Sequence, residues 1–199
     1  SEATAIAWIW ARVIACPNPA CGIDMPLVHS WWLGRKKGKE AYIVPSVVED
    51  SSASGGRRFE YSIGHDLKHS PKSSTDGTVS RTGATCIACG APVELKYVRS
   101  EACAKRMGVQ LMAVVAEGIR RRVYLPPARE HVDAARAESP AGVLTQEIGH
   151  YPRDIKTQIY GMKKFSDLFT GRQLTALAAF SDLVSEARQR VYVDACAAG

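Results

Sequence analysis

Six cysteines occur in the 199-residue chain, at positions 16, 21, 86, 89, 103 and 196. Four fall into two close pairs, Cys16-Pro-Asn-Pro-Ala-Cys21-Gly and Cys86-Ile-Ala-Cys89-Gly. A zinc ion takes four N or S donors in a tetrahedron, and thiolates make structural sites. Two hairpin turns that each give two thiolates can enclose one ion without a large core. Each pair is followed by glycine, Gly22 and Gly90. Glycine reaches positive φ without penalty, which lets backbone N–H groups turn toward the sulfurs. One C-x4-C-G and one C-x2-C-G knuckle together predict a zinc ribbon with Cys16, Cys21, Cys86 and Cys89 as ligands of one structural zinc.

Two other readings of these cysteines stay open. A Cys86–Cys89 dithiol would make the chain a CxxC thiol oxidoreductase, but that chemistry calls for a helix starting at the first cysteine. Pro92 and a strand-like stretch follow instead. Inert buried thiols are the other alternative, since free cysteine packs as a small hydrophobe. Nothing marks secretion, so a disulfide framework is not indicated. Cys103 and Cys196 stand alone in helix-like sequence and read as core or surface residues. His65 and His69 lie four apart in a polar loop, where they are either solvated or ligands of a second ion. His29 falls inside a predicted strand and reads as partly buried. His131 and His150 have no companions that suggest catalysis.

A second possible chemistry is nucleic-acid contact. Trp31-Trp32 is followed by Arg35, Lys36, Lys37 and Lys39. Cations neutralise phosphates, and an exposed ring can stack on a base. Two consecutive strand residues point to opposite faces, so one tryptophan is expected in the core and the other, Trp32, half-covered. The DNA-contacting set is therefore Trp32, Arg35, Lys36, Lys37 and Lys39, with a plain solvated turn as the alternative. Catalytic signatures are missing: there is no G-x-G loop, P-loop, G-x-S-x-G or H-E-x-x-H. Leu125-Pro126-Pro127-Ala128 lacks the polar first and aromatic last residue of a D/N-P-P-Y/F tetrapeptide. No catalysis is expected of this segment alone.

The elements that must position these residues follow from patterning. Thr4–Ala15 reads as a largely buried strand, 25–33 as a second, 41–48 as a third, 59–63 as a short one, and 78–95 as the second cysteine turn between two short strands. The loop 49–58 is flexible by composition, with no large apolar residue to pack. A short helix is predicted over 99–108, a strand over 109–117 with a helix as the alternative, and a hairpin partner over 121–125. Pro126-Pro127 begins a short helix, and 138–152 is linker-like. Thr170-Gly-Arg-Gln173 forms a capping box that opens a final helix. Leu177, Phe180, Val184, Ala187 and Val191 recur along it on one face. That stripe is expected to pack on the rest of this domain, or on the core of a longer parent protein, rather than form a coiled coil. The fold class is α+β: a zinc-ribbon-like β domain over 1–126 with a long β insertion at 23–85, a short helix and linker over 127–152, and a helical segment over 153–199.

Net charge is +6, with 26 Lys+Arg against 20 Asp+Glu, and all of the excess lies in residues 1–126. This suits a nucleic-acid or acidic partner and places it on the first part of the chain. No apolar run approaches the roughly 18 residues of a membrane span, and 3–16 is neither signal peptide nor anchor. A cytoplasmic location with no membrane partner is expected. The chain opens Ser-Glu-Ala without Met, which points to a segment cut from a longer protein.

Three stretches, AIAWIWARVIACPNPACGIDMPLVHSWWL, GATCIACGAPVELKYVR and YGMKKFSDLFTGRQLTAL, resemble the zinc-ribbon region of a large family of adenine-specific DNA methylases. The resemblance covers nearly the whole chain and is specific in the two knuckles and the DLFTGRQL box. It implies that the metal cysteines are Cys16, Cys21, Cys86 and Cys89. It also implies that the segment lies between the S-adenosylmethionine-binding loop and the catalytic tetrapeptide of a parent methyltransferase. No catalytic or cofactor residue of the family has a counterpart here, so S-adenosylmethionine belongs to the parent alone. The implied partners are DNA and the rest of the parent methylase. A protein-binding scaffold with a structural zinc that never touches DNA is the reading from a different class.

Overall fold

The computed structural model describes residues 4–73, 75–118, 121–136, 138–149, 151, 153 and 156–198. Contacts divide the chain into two compact units, 1–129 and 130–199. The first unit is built on antiparallel sheets. Strands β1 (Thr4–Ala15), β2 (Asp24–Leu27), β3 (Trp32–Gly34), β4 (Ala41–Glu49), β5 (Arg57–Gly64), β6 (Gly83–Thr85), β7 (Pro92–Glu94), β8 (Gly108–Gly118) and β9 (Arg121–Leu125) form three sheets. Their orders are β2-β1-β8-β9, β3-β4-β5 and β6-β7. Together with helix α1 (Leu95–Cys103) they make the α+β, zinc-ribbon-like β domain that the sequence predicts, and the chain ends in a long helix.

The main core lies on the first sheet. Strand β8 sits between β1 and β9, and its run from Leu111 to Ala116 is buried throughout. A strand buried on both faces needs no polar alternation, which is why 111–116 reads as a continuous apolar run. Ile14, Ile23, Met25 and Val114 are the largest fully buried side chains beside it, together with Pro26 and Cys86. Burying an aliphatic side chain of this size contributes about 1.5–3 kcal/mol, so this unit has an apolar core of its own. Tyr61 of β5 adds a polar tie, its hydroxyl donating to Gln110 Oε1 of β8 at 2.7 Å.

Three expectations change. The predicted strand 25–33 is split: β2 pairs with β1 while β3 pairs with β4 in another sheet. The break is held by Thr78, which is buried. Its N–H donates to Val28 O (2.7 Å), its hydroxyl donates to Pro26 O (2.5 Å) and accepts from Val28 N–H (2.8 Å). Backbone groups that a longer strand would have paired with a neighbour are satisfied there by residue 78. His29 falls in this break and is exposed rather than partly buried. The first helix begins at Leu95, four residues earlier than predicted, because β7 leads straight into it.

The second unit contains α2 (Arg129–Ala134) at its boundary and α3 (Gly171–Ala197). The Thr170 capping box forms as the sequence indicates, with Thr170 N–H donating to Gln173 Oε1 at 2.8 Å. Of α3 only Leu174 is buried, while Leu177, Phe180, Val184, Ala187 and Val191 are exposed in this chain. Helical spacing establishes that these residues share a face, and it carries no information on what covers them. Among the described residues no helix is long and apolar enough to cross a membrane.

Candidate metal centre

Each cysteine pair sits in a turn between two strands. Cys16 and Cys21 lie between β1 and β2, and Cys86 and Cys89 lie between β6 and β7. In the first turn Cys16 N–H donates to Ile23 O (2.8 Å), and Cys21 and Gly22 N–H both donate to Asn18 O. In the second, Cys86 N–H donates to Ala91 O (2.9 Å) and Gly90 N–H to Cys86 O (2.7 Å). Gly22 and Gly90 have φ of +55° and +75°, the left-handed conformation that the knuckle reading calls for.

The two turns bring their sulfurs together. Cys16 Sγ and Cys89 Sγ are 3.7 Å apart and Cys21 Sγ and Cys86 Sγ 4.0 Å, with all four within 4.8 Å of one another. Four sulfurs placed about 2.3 Å from one ion in a tetrahedron lie about 3.8 Å apart. A disulfide needs about 2.05 Å, and all four cysteines are free thiols. The arrangement can therefore hold one metal ion on four sulfurs, and it is the only such group of His, Cys, Asp or Glu among the described residues. No helix starts at Cys86, so the geometry of a thioredoxin-type dithiol is absent from this turn.

The electrostatics of the four sulfurs is uneven. Burial pushes the Cys16 thiol up to about 12 and raises Cys86 as well. Exposed Cys89 is brought down to about 7, chiefly by the Ala91 N–H. Backbone N–H groups of Asn18, Ala88 and Cys89 also face sulfurs, as N–H donors do in thiolate sites. Packing four sulfurs this closely disfavours common ionisation unless a cation neutralises them.

Four further residues support the centre, and sequence reading singled out none of them. Arg57 Nη2 donates to Cys21 Sγ at 3.6 Å, and Asn18 Nδ2 to Cys89 Sγ at 3.8 Å. Ser54 hydroxyl donates to Gly22 O at 2.9 Å. Tyr97, on the helix that follows the second knuckle, donates its hydroxyl to Ala15 O (3.1 Å), next to Cys16. The loop 49–58 is thus not free, contrary to its composition. Residues 54–56 make a 3-10 turn whose Gly55 lies against the Cys21 carbonyl, close enough that a Cβ there would overlap it. Polar docking of this kind needs no large apolar residue, which is why composition misread it. The only prior signal was the Gly55-Gly56 pair.

The remaining candidates are placed as follows. Trp31 is buried and Trp32 half-buried, its ring set edge-on to Tyr42 with centroids 5.6 Å apart. Arg35, Lys36, Lys37 and Lys39 are exposed on the turn between β3 and β4. His65 and His69 are exposed but engage different partners, Glu40 O at 2.8 Å and Asp66 Oδ2 at 2.9 Å. They do not form a second cluster. Cys103 and Cys196 are exposed and do not belong to the four-sulfur group. His131 lies on α2, and His150 lies outside the described residues.

Comparison with known proteins finds no matching family model, curated protein or solved structure.

Proposed function

We propose that this chain is a structural zinc segment that helps an adenine-specific DNA methyltransferase recognise its DNA, with no catalysis of its own. The observation that carries the metal half is the convergence of Cys16, Cys21, Cys86 and Cys89 within 4.8 Å from two glycine-terminated knuckles. Sulfur donors in a closed tetrahedral set favour zinc over harder cations. Zinc in such a site supplies cross-linking and no open coordination position, so its contribution is to folding. Support for the DNA half is the exposed turn of Arg35, Lys36, Lys37 and Lys39 together with the placement of all net positive charge in residues 1–126. Support for the methylase parent, with its S-adenosylmethionine cofactor, is the resemblance of the knuckles and the DLFTGRQL box. Activity and cofactor belong to the parent in this reading.

Zinc content tests the metal half. Protein purified without added metal or chelator should carry one zinc per chain by elemental analysis, and Cys86→Ser should carry none. Metal-free protein that is folded and fully reduced would remove the zinc reading. Duplex binding at two salt concentrations tests the DNA half, because phosphate contacts give an affinity that falls steeply with salt.

A specific observation favours a second reading, a scaffold that binds a protein partner. Helix α3 exposes Phe180 (68%), Val184 (70%) and Val191 (69%) on one face. A scaffold predicts no measurable duplex binding at low salt.

A further inference from the structure

A second site lies away from the cysteines, in the same unit. The turn before β4, the end of β5 and strand β9 meet around a cleft of about 400 Å³ lined by residues 38–41, 65 and 122–124. Three side chains able to carry positive charge reach it from distant parts of the sequence: Lys39, His65 and Arg122. All three are exposed. Arg58 and Arg106 are paired with carboxylates, Asp50 and Glu60 for the first and Glu101 for the second. Among the described residues Lys39 and Arg122 have no such ion pair. Glu40 contributes the one carboxylate of the lining, so the cleft carries a net positive charge even with His65 neutral.

Two hydrogen bonds fix its walls. A carbonyl only accepts, so the 2.8 Å contact to Glu40 O places the proton of His65 on Nδ1. Its Nε2 has no partner among the described residues. Tyr124 donates its hydroxyl to Leu33 O at 3.1 Å, which ties β9 to β3 and sets one side of the cleft. The opening is continuous in sequence with Arg35, Lys36 and Lys37. A guanidinium presents several N–H donors in one plane and suits the oxygens of a tetrahedral anion, while the ammonium adds a mobile point charge. The volume lies within the range of small-ligand sites.

We infer that this cleft binds a phosphate group, with Arg122 and Lys39 as its principal contacts and His65 at its rim. The phosphate is that of a nucleic-acid backbone if the DNA reading above holds, on which this source rests, and that of a small phosphorylated ligand if it does not.

The test uses the full zinc-loaded chain, a labelled duplex of 20 base pairs and inorganic pyrophosphate as probes. The variants are Lys39→Gln, Arg122→Gln and their combination, with Arg81→Gln as an exposed control outside the cleft. The double variant should lower the slope of log affinity against log salt for the duplex by about 1.8, about 0.9 per lost phosphate contact. It should also weaken pyrophosphate binding by about tenfold or more, and Arg81→Gln should leave pyrophosphate binding unchanged. Duplex binding that the double variant leaves at the wild-type value overturns the cleft and leaves the DNA reading standing. No duplex binding, with pyrophosphate bound and lost in the double variant, sinks the DNA reading and supports the cleft as a small-phosphate site. Absence of binding to both probes overturns the inference.

Discussion

Gly55 offers a way to weigh how far the inserted hairpin depends on the metal knuckle. Its φ is +69°, and an added Cβ would overlap the Cys21 carbonyl oxygen and lie 2.9 Å from Gly22 C and 3.0 Å from Ile23 N. Gly56, its neighbour, has φ of +67° and nothing within 4 Å of the same position. Alanine at either site meets a left-handed penalty of about 1–2 kcal/mol. Only at Gly55 must the loop also leave the knuckle. It would then lose the Ser54 hydroxyl bond to Gly22 O and the Arg57 bond to Cys21 Sγ, each contributing about 1 kcal/mol net. Gly55→Ala should therefore cost about 2 kcal/mol more than Gly56→Ala. For a unit of this size that difference lowers the thermal midpoint by roughly 6–8 °C. Thermal unfolding of both variants with zinc, then with chelator, is the assay. With zinc the gap should be present. Without it the gap should narrow, because the knuckle no longer offers a fixed surface. Equal midpoints for the two variants in the presence of zinc would refute the reasoning.

Two further outcomes are expected. Glu101 is buried on α1, and two hydrogen bonds from Arg106 (2.9 and 2.6 Å) hold its carboxyl below its ordinary value of 4.5. A lowered carboxylate pKa adds stability that is present above about 4.5 and is lost as pH falls through the lowered value. The stability difference between wild type and Glu101→Gln, read by urea unfolding, should shrink through that acid window, and a constant difference would count against the ion pair. Removing zinc should raise amide hydrogen exchange in 16–22, 53–57 and 83–94 while β1 and β8 stay protected; a single cooperative loss of all protection would contradict this.

The cysteine cluster was legible because its chemistry is written in residue type and spacing: cysteine pairs ending in glycine need no knowledge of the rest of the chain. The long strands were legible for a related reason, since the buried run of β8 and the extended β1 are local patterns. The split of 25–33 was not, because the partner that ends β2 is Thr78, some fifty residues on. Arg122 was equally hidden. Nothing near it in sequence marks a site, and it joins Lys39 and His65 only after the sheets have formed. The stripe on α3 shows the opposite limit. Its spacing was read correctly, yet a periodic face states that burial is available and says nothing of whether it is taken up.

A structural zinc is usually invoked where a chain has too little core to fold. The first sheet does not need such help, because β1, β2 and β8 bury Ile14, Met25 and Val114 outside the cysteine turns. What lacks a core is the β6-β7 hairpin, with three residues in each strand. A two-stranded ribbon of that size is marginal in water. Its cysteine turn stands at the end of β1 with the sulfurs of both turns together, and its following helix is fixed to Ala15 O by Tyr97. The first knuckle receives Ser54 and Gly55 from the turn between β4 and β5, and Arg57 from the start of β5. At the far end of those two paired strands stand Lys39, Ala41 and His65, in the lining of the basic cleft. From Ala41 to Glu49 an extended strand covers roughly 27 Å, so one paired hairpin runs from the sulfurs to the cations. In this arrangement a metal held by the four sulfurs would clamp one end of a hairpin whose other end carries the proposed phosphate contacts. Loss of zinc would then weaken anion binding without touching any residue of the cleft, through freedom of the hairpin rather than through charge.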